Sequence, residues 1–327
     1  MAKAVFTTRG NLKVGIGKLA AGSTGKRSSV KTAVHDGDTI TTDPDGNLGV
    51  RFLAIDTPEV SLPLPTGPQD RFVKIGSEEW TTFLTDPFAP ALPPFDPPLD
   101  PGLKAHIAGR AGPGAAANHQ AHALAAERAL EEQVAKDLAE LFADDLEAFR
   151  FFYAFAHEVM DGYGRLLGYI HPDQPHTPKA QRRASYNRRQ LDDGLASPYF
   201  IWPNLDPYRP QGSLAKAVPP PGDVAPEHAT GAQRDELERA RTAVRTAREQ
   251  HNGIYDAANP LALQPSELRF LSRRKPPERW VIDLGAGGDT ILPPQRYYEI
   301  ENLEDRLYVP DEYIPLFEQA GWKRGAV

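Results

Sequence analysis

The chain contains no cysteine among its 327 residues. Disulfide bonds, thiolate metal sites and a cysteine nucleophile are therefore excluded. It also lacks any apolar run of about eighteen residues, so we expect no membrane-spanning helix and no membrane partner. The start of the chain, MAKAVFTTRGNLKVG, has charged residues where a signal peptide needs an unbroken apolar stretch. We therefore expect a cytoplasmic protein.

Excess positive charge is absent as well, because the formal net charge is −7. Proteins that coat nucleic acid usually carry a basic surface, because neutralising phosphates releases counterions. The charge argues against such a coat but says little about a pocket that binds one phosphodiester. Much of the negative charge falls in residues 86–150 and in the C-terminal segment. We expect both segments to lie outside an active site.

Short strands and tight turns dominate residues 31–59. β-Branched residues alternate with polar ones, and the turn-forming sequences D-G and D-P-D-G-N interrupt them. This pattern favours a meander or a barrel over a parallel sheet. Further strands are predicted over F-F-Y-A-F-A-H-E-V (151–159) and R-L-L-G-Y-I (165–170).

Helical signals lie between and after these strands. Ser77 and the acidic residues after it predict a helix N-terminus, and an Ala/Leu/Glu-rich pattern predicts a long amphipathic helix over 118–149. A shorter helix is predicted over 185–193, ending at Gly194. The highly charged segment 231–250 predicts a solvent-facing helix.

Residues 280–289, W-V-I-D-L-G-A-G-G-D, are similar to the glycine loop that follows a strand in methyltransferases. Such a fold needs well over a hundred further residues to complete its sheet, and about forty remain. The segment therefore predicts a hairpin turn.

Three separated segments carry the residue types that phosphodiester hydrolysis needs. Hard oxygen ligands suit a divalent cation such as calcium, and arginine forks suit the phosphate. The segments are D-G-D-T (36–39), R-F-L-A-I-D-T-P-E (51–59) and D-G-Y-G-R (161–165).

In this order and with this spacing, the three segments resemble the staphylococcal nuclease (thermonuclease) family. The resemblance implies an α+β fold, a five-stranded OB-type β-barrel with three helices, over residues 31–256. An insertion of about 86–150 would add a long helix. Residues 1–30 would form an N-terminal extension, and residues 257–327 a small C-terminal α+β module.

The resemblance also implies a calcium site. Asp38 and Asp56 would be the carboxylate ligands, and the carbonyl group of Thr57 would complete the protein ligands. Asp36 would act through a water molecule. The implied activity is calcium-dependent hydrolysis of DNA or RNA, with low sequence specificity, a preference for single strands and 3′-phosphate products.

The remaining roles follow from the same family likeness. Glu59 would be the general base or would orient the attacking water. Arg51 and Arg165 would hold the phosphate and stabilise the transition state. Tyr163 would hydrogen-bond a terminal phosphate. One departure is Gly162, which stands where the family usually has a lysine.

Substrate contacts are predicted downstream. Phe200 and Trp202 fall where family members place tyrosines against the base, although aromatic residues in a barrel strand are more often core. Arg188 and Arg189 belong to a basic cluster at 182–189 that would contact a nucleic-acid strand, unless it is a solvated helix face.

Three alternatives stay open at this point. A nuclease-like barrel can serve as a nucleic-acid- or protein-binding module without catalysis. The aromatic residues of 257–327 would either recruit a protein partner or form the core of a small unit. His119 and His122 have a spacing that suits a second metal, but such a pair on an alanine-rich helix is usually incidental.

Overall fold

The computed structural model describes most of the chain: residues 5–7, 13–19, 29–43, 48–68, 71–161, 165–208, 212–222 and 236–326. The strands are β1 Val5–Thr7, β2 Lys13–Leu19, β3 Val34–Asp36, β4 Thr39–Asp43, β5 Leu48–Phe52, β6 Ala54–Asp56, β7 Ser61–Pro63, β8 Phe72–Lys74, β9 Phe151–Phe155, β10 Leu166–Pro172, β11 Ser197–Ile201, β12 Trp280–Asp283, β13 Thr290–Leu292, β14 Arg306–Val309 and β15 Lys323–Arg324. The α-helices are α1 Val30–Ala33, α2 Glu78–Thr85, α3 Pro101–Ala108, α4 Ala115–Phe142, α5 Tyr186–Asp192, α6 Leu214–Ala217, α7 Glu236–Glu249, α8 Pro265–Arg273 and α9 Ile314–Gln319.

A closed five-stranded barrel forms the centre of the molecule. Its strands follow the order β2-β9-β10-β5-β4, and β4 pairs back onto β2. β10 and β5 are parallel, and the other pairs are antiparallel. Ile40, Val50, Phe52 and Ile170 are buried in its core. The α+β class with a closed barrel is confirmed, and the barrel is consistent with the OB type. Because β2 precedes residue 31, the barrel takes a strand from the segment predicted as an N-terminal extension.

A second sheet, in the order β15-β13-β12-β14-β11-β6, joins the C-terminal residues to the barrel region. β11 pairs with β14 on one side and with β6 on the other. The C-terminal strands therefore extend a sheet that begins next to the barrel. β12 and β13 pair antiparallel, so the glycine-rich segment at 284–289 is a hairpin turn, as predicted.

The C-terminal aromatic residues belong largely to the core. Tyr297, Tyr308, Phe317 and Trp322 are buried. This confirms the core interpretation for these four side chains, while a protein partner for residues 257–327 stays a prediction.

Local signals placed several helix ends correctly. The Ser77 side chain accepts a hydrogen bond from the Trp80 N–H at the start of α2. Gly194 follows α5 with a positive φ of 67°, a conformation that favours glycine. α4, the long helix, spans 28 residues. Within the described ranges, no helix is long and apolar enough to cross a membrane.

The helix predicted at 231–250 is present over Glu236–Glu249, but the prediction that it faces solvent was wrong; residues 231–235 lie outside the described residues. α7 buries Ala240, Ala243 and Val244 against the core. The Arg241 guanidinium is also buried and donates to the Asp305 carboxylate at 2.6 Å. The small apolar residues lie at helical spacing and form one buried face of the helix. The many charged residues between them led to the prediction of an exposed helix.

The buried side chain of Asn187 fixes the point where the chain leaves the barrel. Its Nδ2 donates to the carbonyl groups of Leu53 (2.9 Å) and Gly168 (3.0 Å), and its Oδ1 accepts from the Ile170 N–H (3.0 Å). Ala54, which follows Leu53, has a positive φ of 67°. Since β5 ends at Phe52 and β6 begins at Ala54, these hydrogen bonds hold the chain where it passes from the barrel to the second sheet.

We predict that Asn187→Leu destabilises the protein by about 2–4 kcal/mol, because at least two buried backbone groups lose their partner. Urea unfolding measures this loss. Asn259→Leu, which changes an exposed asparagine with one side-chain contact to Asn118, is the control and should cost about 1 kcal/mol or less. Equal losses in the two variants would contradict the role of Asn187.

Candidate active site

Four predicted residues meet in one ion-pair network beside the barrel. Arg51, near the end of β5, donates through Nη1 to Asp38 Oδ2 at 2.7 Å and through Nη2 to Asp56 Oδ1 at 2.6 Å. Asp38 lies in the turn between β3 and β4, and Asp56 ends β6. Glu59 joins the network through a second arginine.

That second arginine is Arg269 on α8, which the sequence analysis missed. Its Nη2 lies 2.5 Å from Asp56 Oδ2, and its Nη1 lies 2.9 Å from Asp56 Oδ1 and 2.6 Å from Glu59 Oε1. Its side chain is 15% exposed. No motif could have indicated it, because 213 residues separate it from Asp56.

Burial and charge shift the carboxyl groups in different directions. Burial and the nearby charge of Asp38 raise the pKa of Asp36 well above its ordinary value, which favours a protonated Asp36. Burial alone would also raise the pKa of Asp38, but Arg51 lowers it overall. Burial raises the pKa of Glu59, and Arg269 partly opposes this shift. Glu59 is therefore a stronger base than an exposed glutamate.

Arg165 immediately precedes β10, the strand that pairs with β5, and faces the same side as Arg51. Leu167 pairs with Arg51 in the parallel register, and Arg165 precedes Leu167 by two residues. A Cβ atom on Gly49 would lie 3.3 Å from the Arg165 Cγ, so this glycine leaves room for the arginine stem. The Arg165 Nε donates to Asp161 Oδ2 at 2.8 Å.

Thr57 and Tyr163 were predicted to bind calcium and phosphate, respectively. Thr57 is buried, and its backbone N–H donates to Asp38 Oδ2 at 3.0 Å, so it belongs to the network. Tyr163 lies outside the described residues.

Helix α4 takes part in the site, contrary to the expectation that residues 86–150 lie outside it. His119 is fully buried, and its Nε2 accepts the backbone N–H of Glu59 at 2.8 Å. α4 also passes so close to the D-G-D turn that a Cβ atom on Gly37 would collide with Ala126. This glycine is needed for close packing. His122 bonds elsewhere, to the carbonyl group of Asn259, so the two histidines do not share a ligand.

The predicted base-stacking residues are not at a surface. Phe200 and Trp202 are 0% and 1% exposed. Trp202 packs edge-on against Tyr313 and Phe317, with ring centroids 4.9 and 5.1 Å apart. Their rings therefore fill the core. C-terminal elements cover β11 and the residue after it, where the sequence predicted rings free to stack on a base. This placement corrects the base-stacking prediction.

The two predicted basic contacts differ from each other. Arg189 donates to Asp137 at 2.8 Å and lies over the Tyr186 ring, so it is engaged inside the protein. Arg188 pairs with Asp192 at 2.9 Å and lines a cleft of about 710 Å³. That cleft lies beside Pro172, at the opposite end of β10 from Arg165.

The oxygen ligands are of the kind that calcium prefers, but two arginine side chains already bind them in this structure. Asp38 accepts from the Thr39 hydroxyl through Oδ1 and from Thr57 and Arg51 through Oδ2. Both oxygens of Asp56 accept from guanidinium groups. All four oxygens of the two predicted carboxylate ligands thus already accept hydrogen bonds.

Comparison with known proteins adds no support to the thermonuclease resemblance, which rests on the three motifs. No family model matches the chain, and no curated protein matches it significantly.

The buried His119 predicts a specific pH dependence of stability. Burial lowers its pKa to about 4, below the ordinary value near 6.5 of an unfolded chain. Between these values the unfolded chain binds the proton and the folded protein does not, so stability falls as pH falls from about 6.5 to 4. The full difference is about 3 kcal/mol.

We expect His119→Gln to lose less stability than the wild type over this range, since glutamine accepts the Glu59 N–H without titrating. Urea unfolding at several pH values measures the difference. His176→Gln, at an exposed position, should follow the wild-type curve. If the His119→Gln curve also runs parallel to that of the wild type, His119 does not titrate as described.

Proposed function

We propose that this chain is a phosphodiesterase acting on nucleic acid, with Asp38, Arg51, Asp56 and Glu59 at its active site. The observation that carries the proposal is the convergence of these four side chains in one network. They come from two separate motifs of the thermonuclease pattern. Arg165, from the third motif, faces the same side of the barrel, which adds support.

The chemistry proposed for the chain's own residues is hydrolysis of the P–O5′ bond. Glu59 takes the proton of a water molecule as its oxygen bonds to phosphorus. The bond to the 5′-oxygen breaks, this oxygen takes up a proton from solvent, and the phosphate stays on the 3′-oxygen. Arg51 and Arg165 neutralise the charge that develops on the phosphoryl oxygens. The calcium requirement stays a prediction.

The cleft lined by Arg188 is a second contact region for a nucleic-acid strand in this proposal. Its lining includes five basic residues and the acidic residues Asp173 and Glu236. The basic residues are Lys179, Arg182, Arg183, Arg188 and Arg239. Because arginine and lysine attract phosphates of any sequence, this cleft suits a partner of low sequence specificity.

One observation favours a second candidate function, a binding module without catalysis. Asp56 and Glu59 already hold the guanidinium of Arg269, so their charge is compensated without a metal. A site arranged in this way would lack a free base, and the chain would bind a nucleic-acid strand in the cleft lined by Arg188 but not cleave it. Cleavage assays separate the two functions directly.

We predict that Glu59→Gln lowers cleavage of single-stranded DNA by about 10²–10⁴-fold, because the base is lost. Arg51→Lys should lower it by about 10²–10³-fold, because lysine cannot make two parallel bonds to a phosphate. Turnover with calcium and with excess chelator, followed by end-group analysis, measures these effects. Circular dichroism checks the fold of each variant.

Glu78→Gln, an exposed change on α2, is the matched control and should cleave like the wild type. Cleavage by Glu59→Gln at the wild-type rate would refute the assigned role. A wild-type chain that binds DNA but shows no cleavage with calcium would favour the binding module.

For the cleft, we predict that Lys179→Glu combined with Arg182→Glu weakens binding of a single-stranded oligonucleotide. The slope of log affinity against log salt should also fall, by about 1 to 2. Fluorescence anisotropy at several salt concentrations measures both quantities. Lys104→Glu, at an exposed position on α3, is the control. An unchanged salt slope in the double variant would exclude the cleft as a strand contact.

A further inference from the structure

We propose that Arg269 is a cation supplied by the chain itself, which competes with a divalent metal ion for the Asp56 and Glu59 carboxylates. This inference deepens the proposed function and takes its metal from that proposal. It stands on geometry: the two terminal nitrogens of Arg269 make three contacts of 2.5–2.9 Å to these carboxylates. A metal ion bound to Asp56 would share these carboxylate oxygens with a guanidinium of the same sign of charge, so the two cations would compete.

Contacts on both sides of Arg269 fix the position of helix α8. Near its start, Glu267 accepts from the Gln264 N–H and from the Tyr297 hydroxyl, each at 2.8 Å. Near its end, the Ser272 hydroxyl donates to the carbonyl group of Pro63. Leu268 and Leu271 are fully buried. The helix therefore does not depend on Arg269 for its position, and only the side chain has to move for a metal to enter.

The charge balance of the site supports competition between Arg269 and a metal ion over a purely structural role for Arg269. Asp38, Asp56 and Glu59 carry three formal negative charges against the two positive charges of Arg51 and Arg269. Without Arg269 the same group would have an excess of two negative charges, which a divalent cation neutralises. Buried carboxylates without compensation are strongly unfavourable, so either Arg269 or a metal ion is needed to keep all three of them ionised.

Removal of the competitor should create a calcium site that can be measured without any nucleic acid. We expect Arg269→Met to bind calcium at least tenfold more tightly than the wild type in isothermal titration calorimetry. The melting temperature of Arg269→Met should be below that of the wild type without calcium. It should rise as calcium is added, because a ligand that binds only the folded state stabilises it. The wild-type melting temperature should hardly respond.

Arg273→Met is the matched control, since it removes the same charge one turn later on α8 at an exposed position. It should leave calcium affinity at the wild-type level. Arg269→Lys retains the charge but cannot bridge both carboxylates, so its affinity for calcium should lie between those of the wild type and Arg269→Met. This variant provides the test if Arg269→Met does not fold.

Equal calcium affinity in the wild type and the folded Arg269 variants would overturn the competition. Absence of calcium binding in every Arg269 variant would overturn it as well. A variant that binds calcium tightly but does not cleave DNA would contradict the nuclease proposal and leave the competition standing. Conversely, faster cleavage without tighter calcium binding would support the nuclease and contradict the competition.

Discussion

The carboxylate of Asp56 needs compensation, and the candidate site is arranged around that need. This side chain is 2% exposed, and a buried carboxylate is stable only when cations or hydrogen-bond donors surround it. Arg51 approaches one of its oxygens from the barrel, and Arg269 approaches both from α8. The barrel and the C-terminal residues are thereby joined at the position where the proposed chemistry takes place.

Strand pairing also connects the barrel region to the C-terminal residues. Asp56 ends β6, which pairs with β11, and β11 in turn pairs with β14 from the C-terminal residues. The hydrogen bonds of Asn187 fix the step by which the chain leaves β5 and enters β6. Arg51 and Asp56 come from the two sides of this step. Their 2.6 Å contact therefore links the barrel to the second sheet.

Sequence was a good guide where the signal is local and a poor one where it is distant. The D-G-D turn, the strands β3 to β6 and the cap at Ser77 each depend on neighbouring residues, and these predictions agree with the structure, whereas residues 30–33 form helix α1 and not the predicted strand. His119 and Arg269 reach the site from 60 and 213 residues away, through packing that no spacing rule records. Phe200 and Trp202 were misplaced for the same reason, since the elements that cover them come later in the chain.

Charge balance finally explains how the carboxylates of the motifs occur together with arginines that already pair with them. The motif residues bring the carboxylates together, but their charge can be neutralised either by an ion from solution or by a side chain from another part of the fold. A tethered guanidinium is always present at high local concentration, whereas a metal ion must be bound from solution and dehydrated. The identity of the residues thus indicates which groups could act, and in our proposal the residue that α8 places against them decides whether a metal can reach them.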